Sequence, residues 1–97
     1  MYRHVALFRF LPDSTPEQRQ AVLDGLRSLP AQIPELVEYR VGHDVGTAED
    51  NFDFAVVADF AEPEHYEVYR DHPAHVAVAT TLVRPLLADR ASLQYEI

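Results

Sequence analysis

Cysteine is absent from the 97 residues, which excludes thiol nucleophiles, disulfide cross-links and thiolate metal sites. Glycine occurs only three times, and no Gly-rich phosphate loop, Gly-x-Ser-x-Gly elbow or paired-carboxylate signature is present. No apolar run approaches the roughly 20 residues that span a bilayer, and the opening Met1-Tyr2-Arg3-His4 lacks the long apolar segment of a secretion signal. The expected compartment is the cytoplasm, with no membrane partner. Basic residues are scarce as well: eight, all arginine, against 16 acidic ones, for a formal charge of −8. That balance argues against nucleic acid as a partner, because no groove could track its phosphates. Any chemistry therefore falls to His, Tyr, Asp, Glu, Arg, Ser or Thr.

What is present suits one compact domain over residues 1–97. A chain this short has room for one core and buries only about 65% of its unfolded surface. With no cross-link to add stability, a homo-oligomer is expected.

From Tyr2 to Phe10 the residues alternate with the strand period of two, His4, Ala6, Phe8 and Phe10 on one face and Arg3, Val5, Leu7 and Arg9 on the other. Both faces are partly apolar, as in a sheet covered on each side, and the arginines at the ends are expected to snorkel outward. Thr15, Pro16 and Gln18 form a capping-box start for a helix reaching about Leu29, with Val22, Leu23, Leu26 and Leu29 as its apolar stripe. Leu36 to Val45 reads as a second strand with a bulge at Gly42. The polar stretch Gly46 to Asn51 leads to a third strand, in which Phe52, Phe54, Val56, Ala58 and Phe60 share a face. Glu62-Pro63-Glu64 opens a short helix through Arg70, and Pro73 starts another to about Leu87 or Ala88, disturbed by Pro85. Ser92 to Ile97 closes as a fourth strand. The order β-α-β-β-α-β predicts an α+β, ferredoxin-like subunit with a broken second helix. Helices on one face leave Val5, Leu7, Ala55 and Val57 on the other for a second copy, as in a dimeric α+β barrel.

His72-Pro73-Ala74-His75 is the most informative tetrapeptide. Pro73 fixes a helix start and puts His75 in its first turn, where the dipole disfavours an imidazolium and leaves a neutral proton acceptor. The plainer alternative is that His72 caps the helix and His75 packs beneath the sheet. Tyr69 lies six residues earlier across the break; a chain reversal could bring its hydroxyl to the imidazole, as an acid beside a base. His4 shares the apolar face of the first strand and needs a partner there, whether a ligand, a relay with Tyr69 and His75, or the backbone. His43 and His65 are expected in solvent. His4, His72 and His75 could in principle hold zinc, yet no acidic residue has an evident role behind them, and no metal is expected.

The strand Arg3-His4-Val5-Ala6-Leu7-Phe8-Arg9-Phe10, the segment Tyr69-Arg70-Asp71-His72-Pro73-Ala74-His75 and the turn Gly42-His43-Asp44 together resemble the stress-responsive A/B barrel (Dabb) domain, over essentially the whole chain. The resemblance implies a homodimer around a central β-barrel, each subunit keeping a cavity between sheet and helices. In plant polyketide cyclases of that family, the tyrosine and second histidine of the matching motif perform cofactor-free aldol-type cyclisation, and the strand histidine lines the pocket. Carried across, those roles fall on Tyr69, His75 and His4. Where cyclase-like members place bulky aromatics on the first and last helices, this chain offers Leu23, Leu26, Val78 and Leu86; with Ala6, Phe8 and Val56 these are the expected substrate-binding residues. The implied function is a cyclase- or lyase-type enzyme, with no cofactor, on a small apolar, polyketide-like carbonyl compound. The alternative is a non-catalytic, stress-associated ligand-binding or structural dimer.

Overall fold

The period of two that begins at Tyr2 is realised in full. In the computed structural model, which describes residues 1–46 and 48–97, strand β1 spans Tyr2–Phe10 and turns His4, Ala6, Phe8 and Phe10 inward. Helix α1 (Pro16–Arg27) starts on the capping box: the Gln18 N–H donates to Thr15 Oγ1 at 3.1 Å and the Thr15 N–H to Gln18 Oε1 at 2.8 Å. Val22, Leu23 and Leu26 point from it into the core, and Leu29 joins them from the turn beyond.

Strands β2 (Glu38–His43) and β3 (Phe54–Phe60) follow, then helices α2 (Pro63–Asp71) and α3 (Pro73–Val78), and last strand β4 (Leu87–Glu96). The sheet order is β2-β3-β1-β4, with each neighbouring pair antiparallel. This is a ferredoxin-like α+β fold whose second helix is broken: after α3 the chain makes a wider π-helical turn over Ala79–Val83 and a 3-10 turn over Arg84–Leu86. The core lies between the sheet and the helices, with Phe54, Phe60, Leu29, Ile33 and Val22 as its largest fully buried side chains.

Four local expectations change. Gly42 pairs in regular register with Ala55 and makes no bulge; the register shift lies between Arg9 and Phe10, on the β4 side of β1. The last helical stretch stops at Leu86, because Pro85 has no N–H to continue it and Leu87 turns extended. β4 therefore begins five residues before Ser92. Arg3 does not reach for solvent either: its guanidinium forks onto the buried Asp59 carboxylate at 2.7 and 2.9 Å. That hydrogen-bonded pairing holds the Asp59 carboxyl below the usual carboxylate range. Thr47, in the polar link between β2 and β3, lies outside the described residues.

The sheet face away from the helices carries Val5, Leu7, Ala55 and Val57, all half-buried, and Leu93 of β4, which is exposed. Among the described residues no helix is long and apolar enough to cross a membrane.

Candidate active site

Three elements bring His4, Tyr69 and His75 to one cavity of about 480 Å³ between the sheet and the helices. His4 comes from β1, Tyr69 from the end of α2 and His75 from the start of α3. The break between these helices turns the chain back, so the Tyr69 and His75 rings lie 4.3 Å apart, centroid to centroid. His72 caps α3 through its Nδ1, which accepts from the Ala74 N–H at 3.0 Å. Its role is therefore architectural: it fixes the corner that places His75.

The hydrogen bonds determine which nitrogen of each histidine is available. His75 Nδ1 lies 3.0 Å from the Arg70 carbonyl oxygen, which can only accept, so Nδ1 carries the proton. In the neutral ring the lone pair is then on Nε2. Burial pushes the His75 pKa below its ordinary 6.5; the Arg90 charge acts in the same direction, while the Arg70 carbonyl and Asp71 oppose it. Desolvation thus acts on His75 in the direction in which the helix dipole was expected to act. For His4 the arrangement is reversed: the Gln94 side-chain amide donates to His4 Nδ1 at 2.7 Å, leaving the proton on Nε2. Burial, with smaller contributions from Arg90 and His75, pushes His4 down to about 4. Its ring packs against Tyr66 at 4.7 Å.

The Tyr69 hydroxyl does not meet the imidazole by a hydrogen bond. It lies 2.9 Å from the hydroxyl of Tyr39 on β2. Burial pushes the Tyr69 pKa up to about 12, and the hydrogen bond with Tyr39 works against that rise; desolvation raises the half-buried Tyr39 further. Either hydroxyl can donate in this bond; when Tyr39 donates, the Tyr69 proton is free for another acceptor. Tyr39 was not singled out in the sequence because it reads as one more apolar position between Val37 and Val41. The available signal was its hydroxyl, which on a buried face requires a partner.

Of the expected substrate-binding residues, Ala6, Phe8, Leu26 and Val56 line the cavity. Leu23, Val78 and Leu86 do not. Leu23 and Leu86 are buried in the core, and Val78 packs toward α1, where a Cβ on Gly25 would come within 3.3 Å of it. The lining face of the broken helix instead repeats in steps of four, through Val76, Thr80 and Arg84 and through His75, Ala79 and Val83. Arg84 and Arg90 complete the wall and were not anticipated. Arg90 reaches it because β4 starts early and sets Arg90 opposite Phe8.

The imidazoles weighed as zinc ligands are otherwise engaged at Nδ1, by Gln94, Ala74 and Arg70. Among the described residues no group of three His, Asp or Glu side chains is arranged to hold a metal ion.

Residues 2–97 match the model of the stress responsive A/B barrel domain, Dabb. Among solved structures, a dimeric ferredoxin-like protein of unknown function from Thermobifida fusca is 45% identical, with a TM-score of 0.90 over 99% of this chain and 90% of that one. A dimeric protein of ferredoxin-like fold from Bacteroides fragilis is 23% identical, with a TM-score of 0.86 over 99% of this chain and 95% of its own. The hydroxynitrile lyase from Passiflora edulis is 21% identical, with a TM-score of 0.86 over 99% and 92%. The last two likenesses show the fold alone. No curated protein matches the chain.

Proposed function

The chain belongs to the stress responsive A/B barrel domain family, and from that premise we propose that it is a cofactor-independent enzyme that removes a proton next to a carbonyl and stabilises the enolate. The observation that carries this reading is the contact of Tyr69 with a His75 whose Nδ1 is committed to the Arg70 carbonyl, both on the wall of one cavity. His75 Nε2 accepts the proton from the carbon beside the carbonyl. The Tyr69 hydroxyl, protonated at neutral pH, donates to the oxygen on which charge develops. Tyr39 supports it from behind: a hydroxyl that receives a hydrogen bond is a better donor of its own. His4, neutral and protonated on Nε2, can donate to the ligand but cannot serve as a second base at that nitrogen. When the substrate carries a second carbonyl, the enolate carbon attacks it, a carbon–carbon bond forms, and the His75 proton returns to the new alkoxide. That is an aldol-type cyclisation.

The working unit is a homodimer, joined through the sheet face of Val5, Leu7, Ala55 and Val57. Support comes from the Thermobifida fusca protein, which is dimeric at 45% identity.

The test is cyclisation of acetonylacetone, a flexible diketone, to methylcyclopentenone with loss of water, followed by NMR. The expected result is turnover that falls by roughly 10²-fold or more in His75→Ala and in Tyr69→Phe, with the dimer intact in both. Equal turnover in wild type and both variants overturns the mechanism. A wild-type protein that binds diketones and turns over none would instead favour a binding dimer, for which the hydrogen bond of His4 with Gln94 already speaks.

A further inference from the structure

The chain is strongly acidic overall, yet the side chains that line this cavity include three arginines and no carboxylate. Arg70 is occupied, because its guanidinium forks onto Asp71 at 2.9 and 3.0 Å. Arg84 and Arg90 have no carboxylate partner among the described residues. The Asp89 carboxylate, Arg90's neighbour in sequence, accepts from the Arg90 backbone N–H and leaves the guanidinium unneutralised. Both arginines are exposed, so they stand where the cavity meets solvent, while Ala6, Phe8, Leu26 and Val56 form its apolar interior. A positive opening above an apolar chamber is an arrangement for an amphiphile whose charged end is an anion.

We propose that the ligand is a carbonyl compound bearing a carboxylate, with its anionic end held by Arg84 and Arg90 and its apolar body lying over Phe8 and Val56. This rests on the catalytic reading above for the carbonyl alone; the anion site stands on the arginines. Guanidinium is suited to the task, since its planar fork matches the two carboxylate oxygens. Holding the charged end at the opening fixes how deep the ligand sits. It also leaves an uncharged carbonyl for Tyr69 and His75. The apolar substrate expected from the sequence is thereby revised to one that is apolar along its body and charged at one end.

The experiment compares benzoylpropionate with its neutral amide, by NMR titration of wild type and of the Arg84→Gln/Arg90→Gln double variant. Expected is a carboxylate that binds about tenfold tighter than the amide to wild type. Raising the salt from about 0.05 to 0.5 M weakens that preference, and the double variant removes it. Equal affinity for the two probes, no binding of the carboxylate, or a preference that survives both substitutions overturns the proposal. Exchange of the probe's ketone-adjacent protons in heavy water is followed in the same samples and in His75→Ala. Preference without His75-dependent exchange leaves the anion site standing and removes the catalytic reading. Exchange of amide and carboxylate alike, with equal affinity, does the reverse.

Discussion

His4 shows what burial does to one side chain. It is 4% exposed and pushed down to about 4 from an ordinary 6.5, so the folded chain keeps it neutral where an unfolded chain would protonate it. The unfolded state then binds more protons, and stability falls as pH falls from about 6.5 to about 4. The part due to His4 amounts to roughly 3 kcal/mol at the bottom of that window, with His75 adding in the same direction. Urea unfolding at a series of pH values should therefore show a shallower acid slope for His4→Asn, and an unchanged slope would refute this account. At this scale the sequence was partly legible. His4, Tyr69 and His75 could be brought together because a motif spacing and an apolar strand face each constrain one side chain. Tyr39 is masked by its apolar neighbours Val37 and Val41, and Arg90 depends on where β4 begins.

That dependence is clearest among the elements. β1 and β3 are recognisable because one face of each is buried, and burial imposes a period of two. β4 has nearly all its residues exposed, so nothing selected an alternation over Ala88 to Ala91, and the start at Leu87 was hidden by a helix-like run ahead of Pro85. The five residues Leu87 to Ala91 contain Arg90, so the position of this element's boundary decides which charge reaches the cavity wall. The start of α1 was legible because its signal is local and chemical. Thr15→Ala removes one half of the reciprocal capping bonds and is expected to lower stability by about 1 kcal/mol in thermal or urea unfolding. A variant as stable as wild type would mean that Pro16 alone sets the helix start.

For the whole molecule, the proposed dimer puts assembly on the open sheet face. Leu7 sits in a central strand, flanked by Ala55 and Ala91, and a charge there must lose its water when two faces meet. Leu7→Asp is expected to yield a monomer by light scattering while the circular dichroism of the fold persists; an intact dimer would move the interface elsewhere. The pairing of β1 with β4, from Tyr2 opposite Glu96 to Phe10 opposite Leu87, also has a meaning in time. At roughly 5 to 20 residues per second of synthesis, β1 waits about 4 to 15 s between its own completion and the arrival of Leu87. During that interval a strand that is apolar on both faces has an unpaired edge, the condition under which nascent chains aggregate. Strand β4, which bears Arg90 of the cavity wall and the Gln94 that bonds His4, is the last part of the sheet to be made, so a chain halted short of it would have the proposed catalytic pair without the residues that orient and charge its surroundings.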